Sequence, residues 1–199
     1  MRNWNWFVLS VALLALVGCQ SSLGKLPKVM VEMYDQGKPD GWMEIEADRK
    51  GNIFSIETDI AIKDLPPELR AAAEAEIPGA RITGAEWERI GKTDCYEVKL
   101  SKAGREYELV YTSDGKLIEK EVSLRRGEEP TGVVQAALNT VPGGRFKSVE
   151  RIERDQQDDV YHVKLIRDNA SFKVELDGSA KVLRAVREAR AEIELPLKP

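Results

Sequence analysis

Ile77-Pro78-Gly79-Ala80-Arg81 is a phrase the chain writes twice, since Val141-Pro142-Gly143-Gly144-Arg145 repeats it 64 residues later. Self-similarity at a long, fixed spacing is the signature of a duplicated structural unit. The match runs on downstream. Tyr96-Glu97-Val98-Lys99-Leu100 returns as Tyr161-His162-Val163-Lys164-Leu165 at a spacing of 65, and Glu88-Arg89-Ile90 aligns with Glu150-Arg151-Ile152 at a spacing of 62. On that alignment the second copy loses two residues and then regains three in the Asp155–Asp159 turn. Tyr107 matches Phe172, Leu109 matches Val174, and Lys116-Leu117-Ile118 matches Lys181-Val182-Leu183.

Each copy opens with a helix. In the first, Asp64 stands at a capping position, Pro66-Pro67 suit a first turn where no backbone donor is missed, and Glu68 to Glu76 is alanine-rich. In the second, Thr131 is placed to cap a segment whose Val133, Val134, Ala137, Leu138 and Val141 form a stripe at helical spacing. Both helices stop at Pro-Gly, because proline cannot continue the ladder and glycine accepts the left-handed turn. Beyond them the apolar period falls to two. Tyr96, Val98 and Leu100 alternate with charges, as do Tyr161, Val163 and Leu165, and likewise Tyr107-Leu109-Tyr111 and Phe172-Val174-Leu176. These predict half-buried antiparallel strands with one face on the helix. Turns fall at Lys102-Ala103-Gly104, Ser113-Asp114-Gly115 and Asp168-Asn169. A weaker strand over 82–90, matched by 146–152, completes each unit.

The fold class expected is therefore α+β. Two tandem units of one helix packed on an antiparallel sheet (α-β-β-β-β) occupy residues 63–125 and 129–190. Met43-Glu44-Ile45-Glu46 with Gly51-Asn52-Ile53-Phe54 lines up with the last hairpin of the first unit, so 28–62 reads as an N-terminal β-hairpin extension without a helix of its own.

The helix ending in Pro-Gly, the Tyr-x-Val-x-Leu strand and the closing Asp114-Gly115-Lys116 hairpin resemble PepSY-type domains. More narrowly they resemble the PepSY-like group of small exported proteins, whose fold is similar to the β-lactamase inhibitor protein. The resemblance covers Leu65–Val122 and Thr131–Val186 and departs at the last turn, where Ala180 stands opposite Gly115. It implies a non-enzymatic protein-binding module, an inhibitor or chaperone of an exported enzyme, engaging another envelope protein through a sheet face or edge. A structural envelope lipoprotein without inhibitory activity is the alternative.

The first residues carry an address. Arg2 precedes an apolar run from Trp6 to Val17, which is shorter than the roughly 20 residues a membrane span needs. Leu16-Val17-Gly18-Cys19 resembles the bacterial lipobox, so residues 1–18 read as a signal peptide cut before Cys19. Lipid on Cys19 would hold the chain to a membrane, with residues 19–27 as a polar, lipidated tether. Gln20, where Asp would resemble an inner-membrane retention signal in a Gram-negative cell, points to the outer membrane facing the periplasm.

Composition narrows the rest. A formal charge of −4 with both signs mixed offers no basic stripe for nucleic acid. With Cys19 lipidated, Cys95 has no partner for an internal disulfide and reads as a half-buried strand residue. His162, the single histidine, sits on the polar parity of its strand and is expected at the surface, so neither a triad nor a histidine-rich metal site can be built. Asp155–Asp159 and Asp177-Gly178-Ser179 lack the ligand spacing of a calcium loop. Glu119 and Glu121 share one outward strand face. No catalytic residue, metal or cofactor is expected. Trp87 reads as a core aromatic if its equivalent is Val149 and as an exposed one if it is Arg151; it is the candidate protein-binding residue because neither equivalent is aromatic and aromatic residues dominate binding hot spots.

Overall fold

Both Pro-Gly phrases end helices, as their chemistry requires. In the computed structural model, which describes residues 28–37 and 42–189, helix α2 (Pro67–Glu76) and helix α3 (Val133–Thr140) give way to Gly79 and Gly143 at φ 78° and 79°. The starts differ from expectation. Asp64 closes a 3-10 turn, Ile62–Asp64, and Pro66 stands at the cap; in α3 the cap is Gly132 in a left-handed conformation, with no bond from Thr131. A third helix, α1 (Lys28–Gln36), precedes the N-terminal hairpin, so that hairpin does have a helix of its own.

The strands are β1 (Met43–Ala47), β2 (Ile53–Ile60), β3 (Arg81–Ile90), β4 (Thr93–Lys102), β5 (Arg105–Thr112), β6 (Leu117–Ser123), β7 (Arg145–Glu153), β8 (Val160–Arg167), β9 (Ala170–Asp177) and β10 (Val182–Arg187). They form one ten-stranded antiparallel sheet in sequence order, which overturns the expected pair of tandem helix-on-sheet units. The reason lies at the seams. β2 pairs with β3 from Ser55↔Ile90 to Ile60↔Ala85, and β6 pairs with β7 from Lys120↔Glu153 to Ser123↔Glu150. An unpaired sheet edge leaves backbone donors and acceptors unsatisfied, so the edges of successive units fuse.

The duplication survives inside this single sheet. Bulges interrupt β3 between Ile82 and Gly84 and β7 between Phe146 and Ser148, again 64 residues apart. Ala85 faces Val98 as Val149 faces Val163, and Trp87 faces Tyr96 as Arg151 faces Tyr161. The spacing of 64 therefore holds through the whole strand. Arg151, not Val149, is the equivalent of Trp87, and the 62-residue match at Glu150-Arg151-Ile152 is a coincidence of sequence. One extra residue in the β7–β8 turn then raises the spacing to 65. The turns repeat too: Ala103-Gly104 and Asp168-Asn169 both take positive φ at two successive residues, the geometry that suits the twist of a two-residue hairpin. Ala180 adopts φ 67° where Gly115 adopts 90°, so the last hairpin keeps its shape without the glycine.

All three helices pack on one face. Leu65, Leu69, Ala73 and Ile77 meet Ala85, Val98, Leu100, Leu109 and Tyr111, with Tyr96 and Tyr107 at the margin. Val133, Ala137 and Val141 meet Val149, Tyr161, Val163, Leu165, Val174 and Leu176, with Phe172 alongside. Met30 and Met33 of α1 meet Ile56. Full burial of such side chains contributes about 1.5–3 kcal/mol each.

The opposite face is not left to solvent. Glu46 on β1 lies 3.3 Å from Lys173 Nζ on β9 and 3.2 Å from the Arg184 guanidinium on β10, and Arg184 also stacks on Phe54 of β2. The sheet thus curls until its two ends meet through side chains, although the strand order stays open between β1 and β10. Helices coat the outside. Glu46, Glu57, Glu86, Glu121 and Glu150 point inward, whereas Arg151, opposite Tyr161, lies on the helix face.

Candidate functional site

Curling turns an ordinary polar sheet face into an enclosed, charged interior. Glu57, Glu86 and Glu97 stand side by side on β2, β3 and β4, each presenting one donor oxygen within 4.8 Å of the others. Glu121, Glu150 and His162 do the same on β6, β7 and β8. The two sets are the same positions of the repeat, at spacings of 64, 64 and 65. A lysine follows each. Lys99 bonds Glu86 and lies 3.5 Å from Glu97, and Lys164 lies 3.1 Å from Glu150. At the third position the copies differ, glutamate in one and histidine in the other.

Burial decides the electrostatics. Glu86 is 2 % exposed, and burial together with the surrounding carboxylates makes extra charge here costly. Burial first, then Glu86 beside it, pushes the Glu57 carboxyl up to about 11. Glu97 is held well above the usual carboxylate range by burial and by Glu108 and Glu86; Glu121 likewise by burial and by Glu108, Glu119 and Glu150. Glu86 goes the other way: burial opposes its charge, but hydrogen bonds from Glu57 and Lys99 prevail and lower it. One charged carboxylate is thus stabilised by a neighbour that keeps its proton and by an ammonium. The chemistry available to these groups is to hold protons, to pair with lysine, or to ligate a cation.

His162 is 7 % exposed. Its predicted parity is right, away from the helices, but the expected exposure is wrong because that face is enclosed. The same holds for Glu121. Cys95, 1 % exposed on this inner face, has its thiol pushed up to about 11 by burial and by Glu88 and Asp94, which suppresses the reactive thiolate. Asp177 accepts bonds from the backbone of Ser179 and Lys181 within its own turn. Cys19 lies outside the described residues, as does the whole signal and tether. Trp87 is on the helix face, half-buried against the Met30, Met33 and Ile56 cluster, and donates its indole N–H to Asp94 at 3.2 Å.

Glu57, Glu86, Glu97 and Glu150 were not singled out in the sequence, and Glu121 was read as facing outward, because strand parity assigns a face without saying what that face meets. A signal was present: applying the 64-residue spacing to Glu57 and Glu86 leads directly to Glu121 and Glu150.

A second surface is apolar. Ile53, Phe54 and Ile90 are each about 40 % exposed, and Gly91, next to Ile90, donates its backbone N–H to Phe54. Arg184 covers one side of the Phe54 ring, and its neighbour Leu183 is 47 % exposed. This places an apolar patch at the end of the sheet where β2, β3 and β10 come together.

An antiparallel sheet with helices on one face, written by a Pro-Gly-punctuated repeat, defines the class. Residues 28–119 match the family described as "Putative beta-lactamase-inhibitor-like, PepSY-like", and this part of the chain is PepSY-like. Among solved structures, a "putative periplasmic" protein from Bacteroides eggerthii DSM 20697 is similar at 16 % identity and a TM-score of 0.50, over 61 % of this chain and 88 % of that one. A BLIP-like protein from Bacteroides fragilis NCTC 9343 is similar at 18 % identity and a TM-score of 0.47, over 66 % and 94 %. At 16 % identity the likeness to the Bacteroides eggerthii protein speaks for the fold alone. The comparison with curated proteins gives no match.

Proposed function

We propose that the protein is a non-enzymatic, lipid-anchored envelope protein whose PepSY-like sheet binds another exported protein. The apolar patch of Ile53, Phe54 and Ile90 carries this reading, since large exposed side chains on an otherwise polar surface are where binding energy concentrates. The inner face is unsuited to the task because its charges are already enclosed. An inhibitory or chaperoning role toward an exported enzyme is the finer form of the proposal. A purely structural spacer would have no use for an exposed aromatic with a guanidinium stacked on one side of it.

The anchor is tested by Cys19→Ala, which should release the protein from membranes into the high-salt wash. Retention of the mutant in the membrane fraction would refute the lipobox assignment. Binding is tested with a photo-crosslinking residue at position 53 or 90 in cells. A discrete adduct is expected, and Phe54→Ala should weaken its partner's affinity by about 2 kcal/mol with the melting temperature nearly unchanged. Trp87→Ala in the same assay separates the aromatic proposed from sequence from the one exposed in the structure. Because Trp87 packs under α1, its loss should lower the melting temperature first. Unchanged stability with lost crosslinking would make Trp87 the anchor instead.

A further inference from the structure

We propose that Glu121, Glu150 and His162 form a site for a divalent transition metal of the zinc class, with Glu175 orienting the histidine. The proposal is independent of the protein-binding reading.

Geometry is the first support. The three donor atoms come from adjacent strands at one parity and lie within 4.8 Å of one another. Ligands of one zinc ion at about 2.0–2.2 Å sit roughly 3–4.4 Å apart, so closure needs only a small side-chain movement.

The environment of His162 is the second. It is 7 % exposed, and its Nε2 makes no well-formed hydrogen bond; Glu150 Oε2 beside it is buried and paired with the Lys164 ammonium at 3.1 Å. Nδ1 faces Glu121 Oε1 at 3.8 Å, and Nε2 faces Glu175 Oε2 at 3.4 Å. A neutral imidazole has one N–H and one lone pair. With Nε2–H turned to Glu175, the Nδ1 lone pair is left facing Glu121, where a proton on that carboxyl or a cation shared with it can answer it. At 3.8 Å the Nδ1–Glu121 pair is too long for a hydrogen bond, yet it suits two ligands of one metal. The Nε2–H can then turn to Glu175, the carboxylate–histidine–metal arrangement that fixes a ligating imidazole.

The other copy is the internal control. Glu57, Glu86 and Glu97 occupy the same positions with oxygen donors only. Imidazole favours zinc and its neighbours in the first transition row, whereas an all-carboxylate set suits calcium or magnesium. Lys99 and Lys164 are shared, so the difference in metal preference rests on position 162.

The test uses tag-free protein from residue 20 onward in a Cys95→Ser background, so that no thiol contributes. Zn2+ is titrated against a chromogenic chelator, and Co2+ is followed by its visible spectrum. The expected result is one Zn2+ per chain, a melting temperature raised by Zn2+ but not by Mg2+, and a Co2+ spectrum with nitrogen ligation. His162→Gln should abolish tight binding, and Glu175→Gln, which keeps all three ligands, should weaken it about 10- to 100-fold. Glu97→His should add a second equivalent. Should His162→Gln fail to fold, the Glu175 and Glu97 variants still decide the matter. Zn2+ binding that is absent below millimolar, or unchanged across the variants, overturns the proposal.

Discussion

With metal removed by chelator, the protein should be more stable at pH 5.5 than at pH 8. The inner-face carboxylates set the sign. Glu57 titrates near 11 in the folded state, and Glu97 and Glu121 also lie well above the usual range, whereas the unfolded chain releases these protons near pH 4.3. Between the two values the folded state holds more protons, so each such group contributes stability that is complete below the unfolded value and is lost as pH rises toward the folded one. Groups with lowered values, Glu46, Glu86 and Glu175 among them, act only below the ordinary carboxylate range and add no slope here. A single net group costs about 1.4 kcal/mol per pH unit. Over two and a half units that is roughly 3.5 kcal/mol, or about 7–14 °C of melting temperature for a domain of this size. Thermal melts from pH 5 to 9 measure it. Glu57→Gln should flatten the profile and raise stability at pH 8. A melting temperature that climbs with pH in the wild-type protein would contradict the buried-proton account.

Lys99→Met should be among the most damaging single substitutions outside the apolar clusters. Lys99 bonds Glu86, whose side chain is 3 % exposed, and its own ammonium is held protonated by Glu97 and Glu86 against the cost of burial. Removing the ammonium leaves a carboxylate buried among carboxylates. Breaking one partner of such a pair costs about 3–5 kcal/mol, and the third of the lysine that is exposed places the expectation at about 3 kcal/mol at pH 8. The loss should shrink at pH 5, where Glu86 can take up a proton. Replacing both partners, Glu86→Leu with Lys99→Met, should recover most of it, since the stranded charge is then gone. Denaturant unfolding of the two single variants and the double variant at both pH values checks all three outcomes. Equal losses in the single and double variants would place the energy in packing, not in charge.

These two expectations rest on residues that strand periodicity assigned to solvent. The alternation of Tyr96, Val98 and Leu100 with Glu97 and Lys99 was correctly read as two faces, and the helix-facing tyrosines lie where that reading put them. What the period of two does not contain is the object each face meets. The 62-residue match at Glu150-Arg151-Ile152 misled for a related reason: three identical letters outweighed the bulge at Phe146–Ser148, which only backbone pairing reveals. Helix α1 was missed because Lys28–Gln36 is short and has neither an acidic first turn nor a Pro-Gly stop.

The sequence by itself determined the duplication, the two Pro-Gly-terminated helices, the strand segments with their inward and outward parity, the two-residue hairpins and the resemblance to PepSY-like proteins. All of these depend on neighbours within a few residues or on self-comparison. Only the tertiary structure decided that the units fuse into one ten-stranded sheet and that the sheet curls until Glu46 meets Lys173 and Arg184. It also decided that a polar face thereby becomes a buried one. Those outcomes depend on which strand edges meet, and on contacts between residues more than a hundred positions apart. Local periodicity is the same for a sheet that stays open to water and for one that closes on its own charges.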